Sequence, residues 1–464
     1  MSVSRFGFTK PSPTTLNWCE DNLILDNPNY IKALKSNNPR ARFVPKKIYM
    51  YATSDNNLYV PYGAYYKILD LLHLKKVPTP INNKVEYKGK IDLYDYQSNA
   101  VKKLVSLNNG ILVSPAGSGK TQMGIALMQE LGLKTLWITH TKDLINQSLL
   151  RFKYYYKNDI GEISDGKVNI SNSITFATIQ TLSKIDLSLY ENEWDLIIID
   201  EVQHCSTSID HMQMYEKVLN HLNAPYRYGL TATLHRADHL EKGILNLVSY
   251  NIVKVDENNT RKIKAEVYNI LVPTDIPKEK IGFDIITNKP TYAIPYLNTD
   301  STINYAKLVN CLSINETRNT TIVSLVKRLL VEDRHIMILC NLKLQCDLLV
   351  NLIPNSVYLD SDLSKINRYK IIENIKKGKE KVIISTYSLA KEGLDMPILD
   401  SLILATPQKD ETAIIQSIGR IERIYPKKLQ PKVYDIIDTT IPYCLGSKKK
   451  RNSVLKKYNY KIYN

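Results

Sequence analysis

The sequence predicts an α/β chain built from two parallel-sheet units in tandem, preceded by a small α+β segment. Three observations predict this. Short apolar runs recur from about residue 91, helical patterns lie between several of them, and a second such set follows a long irregular stretch at about 251–305. Buried strands that alternate with helices imply a parallel sheet covered on both faces.

The first 88 residues read as a unit of their own. KIYMYATSDNNLYVPYG alternates apolar and polar residues around SDNN (54–57), which predicts a β-hairpin, and YYKILDLLHL follows with helical spacing. KKVPTPINNKVEYKGK (75–90) carries Pro78, Pro80, Gly89 and many charges, and reads as a linker. The first strand set is GILVS (110–114), TLWIT (135–139), ITFAT (174–178), DLIIID (195–200) and YRYGLTAT (226–233). Helices are expected at 122–132 and 142–156. The second set is HIMILC (335–340), SVYLD (356–360), KVIIST (381–386), SLILAT (401–406) and KVYDIID (432–438), with helices at 341–352 and 364–378. The expected division is therefore 1–88, a basic accessory segment that binds DNA; 89–256, the first sheet unit; 257–305, an irregular connection; 306–440, the second; and 441–464, a basic Tyr-rich tail without a clear core.

Length and composition bound the function. At 464 residues, with 44% hydrophobic and 23% charged side chains, the chain can bury two or three ordinary cores. The net charge of +16 favours an anionic partner. That charge is uneven: residues 1–88 carry +7, residues 424–464 carry +8, and the 335 residues between them carry +1. No apolar stretch approaches a membrane span, and MSVSRFGFTKPSPTT has no apolar h-region, so a cytoplasmic chain is expected, in the host cytoplasm if viral. The six cysteines are scattered without a CxxC pair, so free thiols are expected.

Two motifs carry chemistry. SPAGSGKT (Ser114, Pro115, Ala116, Gly117, Ser118, Gly119, Lys120, Thr121) lies after a predicted strand and before a predicted helix, the context a phosphate loop requires. Its backbone N–H groups would cradle phosphate, Lys120 would reach the β- and γ-phosphates, and Thr121 would ligate Mg²⁺. The strict pattern has Gly where this chain has Ser114. DLIIIDEVQH places Asp200 and Glu201 at the carboxyl end of a buried strand, where parallel sheets hold ligands. Asp200 suits Mg²⁺ and Glu201 suits positioning and deprotonating a water.

In order, LYDYQ (93–97), SPAGSGKT, DEVQH, TAT (231–233), STYSLAKEGLDMP (385–397) and QSIGRIER (416–423) resemble the motif series of superfamily 2 helicases and translocases over roughly residues 91–440. The DExH-type box and the EGLDMP form look most like phage UvsW-type branch-migration helicases. The resemblance implies two RecA-like motor domains, ATP and Mg²⁺ as cofactors, and a DNA partner that is single-stranded, forked or branched, with RNA as the alternative strand. A scaffold with inactive motor domains is the reading from another class. The resemblance further implies that Gln97 reads adenine with Tyr94 or Tyr96 stacked on the base. Thr231 and Thr233 would couple ATP to the nucleic-acid groove, with His204 bonding between the ATP site and the rest of the motor. Gly393 and Asp395 would contact nucleotide. Gln416, Arg420 and Arg423 would lie across the interdomain cleft, the two arginines sharing one helix face.

Relatives carry L-R-x-Y-Q where this chain has LYDYQ, so Tyr94 replaces an arginine and base selectivity stays open. His140 replaces a common proline and Ser148 a tryptophan, both in presumed DNA-contacting loops. The expected strand contacts are the loop after Thr139, the Thr178–Gln180 step and Thr386, residue types that suit phosphate without reading sequence.

Overall fold

The computed structural model describes residues 6–36, 39–74, 76–115, 117–206, 209–234, 241–255, 263–283, 289–360, 362–363, 365–388 and 396–464. Two compact units divide it, Met1–Thr260 and Arg261–Asn464. Among the described residues no helix is long and apolar enough to cross a membrane.

The first unit begins with five three-residue strands: β1 (Gly7–Thr9), β2 (Ile24–Asp26), β3 (Lys47–Tyr49), β4 (Ala52–Ser54) and β5 (Asn57–Tyr59). β4 and β5 form the expected hairpin, turning through Asp55 and Asn56 at φ +49° and +63°, and β1 adds antiparallel to β5. Helix Tyr62–Leu71 follows as predicted. Its packing differs from a free-standing unit. Leu23, Leu58, Val60, Ala64 and Ile68 share one core with Leu136, Ile138, Ile197 and Ile199 of the main sheet and with Leu247 of helix Glu241–Leu247. The Tyr62 hydroxyl donates to the Pro225 carbonyl at 2.7 Å, and the buried Arg227 guanidinium sits 4.4 Å from the Tyr62 ring. Strands this short enclose too little apolar surface to stand alone, so they borrow the main sheet's face. The linker is strapped down as well. The buried Tyr87 hydroxyl donates to the Leu133 carbonyl at 2.7 Å, and Asp195 accepts the Asn82 N–H at 3.0 Å.

The main sheet contains β6 (Asn109–Val113), β7 (Thr135–Thr139), β8 (Ile160–Ser164), β9 (Lys167–Asn169), β10 (Ile174–Thr178), β11 (Leu196–Asp200), β12 (Tyr226–Thr231) and β13 (Ile252–Lys254). Its order is β13-β6-β12-β11-β7-β10-β8-β9, parallel except at β8–β9. β7, β10 and β11 are buried at every residue, which is why they read as continuous apolar runs.

The second unit contains β14 (Glu266–Val272), a β15–β16 hairpin (Glu279–Phe283 and Pro290–Ala293), β17 (Ile336–Cys340), β18 (Ser356–Leu359), β19 (Val382–Thr386), β20 (Ser401–Leu404), β21 (Lys432–Asp438) and β22 (Lys461–Tyr463). Its parallel sheet runs β18-β19-β17-β20-β21-β14-β22. Two segments depart from expectation. β14 lies in the presumed irregular connection and pairs with β21 over seven residues. Its buried side chains alternate with half-buried ones as far as Ile270, a weaker signal than the continuous runs around it. The presumed coreless tail forms helix Pro442–Lys457 and strand β22. Arg451, 1% exposed, anchors that helix through Asp435 at 2.7 Å. The only apolar side chains this helix buries are Cys444, Val454 and Leu455, too sparse a stripe to read.

The Arg451→Ala variant is expected to lose about 3–5 kcal/mol of stability, because it strands a buried Asp435 carboxylate. Urea denaturation followed by far-UV dichroism measures this, with Lys449→Ala near neutral as the control.

Candidate nucleotide and nucleic-acid site

The phosphate loop leaves β6 and enters helix Lys120–Leu131. Gly117 and Gly119 hold φ +76° and +83°, where a side chain is strained, and a Cβ on Gly119 would lie 2.3 Å from Gln97 Nε2. Ser114 explains how the loop tolerates a missing glycine. It is fully buried, its N–H donates to the Thr231 carbonyl at 2.9 Å, and its hydroxyl bonds that of Ser118. The Ser118 hydroxyl also lies 2.6 Å from the Pro115 carbonyl. Ala116 lies outside the described residues.

Gln97 is buried, its amide donating to the Ser118 carbonyl at 2.9 Å and its oxygen accepting the Tyr94 N–H at 3.0 Å. Tyr96 donates to the same Ser118 carbonyl at 2.9 Å. In this state both side chains buttress the loop. Tyr94 stacks on Tyr96 with centroids 6.0 Å apart and is 48% exposed, so it offers the open ring face for a base.

The acidic pair sits at the end of β11. Asp200 is buried, accepting the Glu201 N–H at 3.0 Å and the Ser148 hydroxyl at 3.4 Å. Burial first, then the Glu201 charge, raise its carboxyl to about 7 against the pull of Lys120. Glu201 adopts φ +50°, which turns the chain sharply after the strand. Lys120 Nζ lies 4.0 Å from Glu201 Oε1. A site short of positive charge beside a glycine-shaped phosphate loop fits Mg²⁺ carried in with nucleotide, held by Thr121 and Asp200. The ion would screen the phosphate charge.

One connecting residue escaped the sequence reading. Gln203 donates to Glu201 Oε2 at 2.6 Å, and its Oε1 lies 2.6 Å from the Thr231 hydroxyl. Thr231 in turn accepts the Thr233 N–H at 3.1 Å. Glu201 is thereby joined to TAT through a glutamine inside the DEVQH box. Its burial and its partners are properties of the fold, so nothing in the sequence singled it out. The His204 ring stacks flat on His140, centroids 4.7 Å apart at 3°, with the His211 ring edge-on to His140 at 4.8 Å.

Ser148 also moves from its expected place. It is buried on helix Lys142–Tyr155 facing Asp200, rather than in a DNA-contacting loop. Thr139 is fully buried and its hydroxyl donates to the Thr141 carbonyl at 2.9 Å, so it shapes the loop rather than presenting a hydroxyl. Thr178 is likewise buried, bonding Thr181 at 3.0 Å. Gln180 is partly exposed and donates to the His140 carbonyl at 2.9 Å.

In the second unit, Thr386 ends β19 with its hydroxyl 3.0 Å from that of Ser388. Gly393 and Asp395 lie outside the described residues. Gln416 and Arg420 lie on helix Glu411–Ile421, which Asp410 caps at 2.6 Å. Arg423 does not share a helix face with Arg420, because the helix stops at Ile421. The buried Glu422 accepts the Ala265 N–H at 3.0 Å and Lys428 holds the Arg423 carbonyl at 2.8 Å, so the chain turns away there.

Folding raises the Asp200 carboxyl, so the folded protein keeps a proton that the unfolded chain has lost. Asp200 therefore costs stability progressively as pH rises from about 4 to about 7. Binding Mg²⁺–nucleotide at pH 7 is expected to release roughly half a proton from it. Calorimetry in buffers of different ionisation enthalpy measures this release, which Asp200→Asn should remove.

Comparison with known proteins agrees with this geometry. The family described as "Type III restriction enzyme, res subunit" matches residues 90–236, and "Helicase conserved C-terminal domain" matches 318–425. The chain is 28% identical to "Putative ATP-dependent RNA helicase L396" of Acanthamoeba polyphaga mimivirus, over 99% of this chain and 86% of that protein. It is 28% identical to "Probable helicase D10" of Escherichia phage T5, over 70% of this chain and 67% of that one. The structure of S. cerevisiae Dbp5 bound to RNA and ADP BeF3 aligns over 86% of this chain and 92% of that one, with 15% identity and a TM-score of 0.56. Phosphate loop, acidic pair and paired helicase domains together place the chain among the ATP-dependent superfamily 2 helicases.

Proposed function

We propose that this helicase moves on DNA and remodels forks or junctions in the manner of phage UvsW-type branch-migration enzymes. The observation that carries the motor reading is the unbroken chain of interactions from Lys120 through Glu201 and Gln203 to Thr231 and Thr233. It ties the group that would activate water to the motif that would sense the strand. Lys120 holds the phosphate tail and Glu201 takes the proton of the attacking water. The choice of DNA rests on the DEVQH box and the EGLDMP form of the later motif.

A specific observation keeps RNA as the second reading. The mimivirus relative, which aligns along 99% of this chain, carries the name of an RNA helicase.

A basic face supports nucleic-acid binding of either kind. Residues 28–49 hold six basic and no acidic side chains. Phe43, 73% exposed, lies beneath the Arg42 guanidinium at 4.8 Å, and Tyr49 is also exposed. Charge interleaved with open rings suits strand binding.

ATP turnover should rise most with forked or four-way DNA and less with matched RNA, and Lys120→Ala should abolish it. Equal or greater stimulation by RNA would overturn the DNA assignment. Replacing Lys46 and Lys47, or Lys448, Lys449 and Lys450, by Gln should weaken DNA affinity and flatten its salt dependence. The log–log slope should fall by about 0.9 for each phosphate no longer neutralised. DNA-free turnover should hold. An unchanged slope would mean that these ends only aid solubility.

A further inference from the structure

β10, β7 and β11 are consecutive parallel strands, so the residues just past their carboxyl ends lie side by side. Those residues are Gln180, His140 and the Glu201–His204 segment. Gln180 is tied to His140 through the 2.9 Å bond from its amide to the His140 carbonyl. His140 is tied to His204 by the parallel ring stack at 4.7 Å, and His211 closes the edge of that stack at 4.8 Å. The His204 N–H donates to the Glu201 carbonyl at 3.0 Å. Burial first, then His204 and His211, hold His140 down at about 4, so its ring stacks as a neutral imidazole at pH 7. Offset neutral rings attract and resist sliding, so a displaced Gln180 carries the His140 backbone and ring with it.

This route is distinct from the one through Gln203, which leaves Glu201 towards β12 on the other side of β11. We propose that His140 is a positioning residue that transmits the placement of the Gln180 loop to His204 and thence to Glu201, so that strand occupancy sets the geometry of hydrolysis. The inference rests on the motor reading above, in which the Gln180 loop meets the strand.

Three quantities test it in the full chain: affinity for forked DNA without nucleotide, ATP turnover without DNA, and turnover at saturating DNA. His140→Ala is expected to lower the DNA-saturated rate about tenfold, within the usual range of coupling between sites. DNA-free turnover should stay within about twofold, and the DNA-stimulated rates are compared at saturation so that a change in affinity does not enter them. His140→Phe, which keeps a flat ring in the stack, should restore the saturated rate and guards against a trivial folding defect.

Full stimulation in His140→Ala would overturn the proposal. So would a proportional loss of both rates, or a His140→Phe variant as impaired as Ala. A wild-type protein whose turnover ignores every nucleic acid would sink the motor reading itself, a result that the unsubstituted chain alone reveals.

Discussion

Two carboxylates at the end of one buried strand constrain the rest of the first unit. Asp200 and Glu201 follow four fully buried apolar residues, so they meet in a place that solvates charge poorly. Everything nearby answers that problem. The Glu201 N–H and Ser148 hydroxyl bond Asp200, Lys120 approaches Glu201, and Gln203 holds the second Glu201 oxygen. The compensation is incomplete, which leaves Asp200 poised near neutrality and receptive to a divalent cation. Strand order makes even this partial answer possible. β12 lies between β6 and β11, so Thr231 can touch both the phosphate loop, through Ser114, and the acidic pair, through Gln203.

How much of this was legible follows from how each element is stabilised. TLWIT and ITFAT fill their strands end to end because a strand buried on both faces favours apolar and β-branched residues throughout, threonine being the one polar type either contains. The phosphate loop and acidic pair were legible because nucleotide chemistry restricts residue types at fixed spacing. β14 was not, since its alternating burial spreads five apolar residues among polar ones. The C-terminal helix hid because Arg451 and Asp435 anchor it where leucines usually would. Gln203 and Ser148 were missed for a different reason. Their importance comes from neighbours 28 and 52 residues away, and spacing along the chain carries no trace of such pairings.

The charge surplus changes meaning once burial is known. At the C-terminal end, Arg451 is consumed by Asp435, Lys457 pairs with Glu411 at 2.7 Å, and Lys432 lies 3.8 Å from Glu332. Part of that +8 is therefore structural. At the N-terminal end the balance differs. Lys47 pairs with Asp26, yet both remain exposed, and residues 28–49 contain no acid to neutralise the other five basic side chains.

That exposed face is mounted in a way that matters for a motor. Its supporting strands share a core with β7 and β11, and Tyr62 bridges from helix Tyr62–Leu71 to the chain just before β12. A strand held at Phe43 and Lys46 would thus pull on the same packed layer that positions Asp200. Close-packed interiors transmit small displacements instead of absorbing them. A grip on nucleic acid at that face would therefore share a packed core with the strand that carries Asp200. A flexible linker would have decoupled them, and the bonds that strap 75–90 to Leu133 and Asp195 remove that freedom.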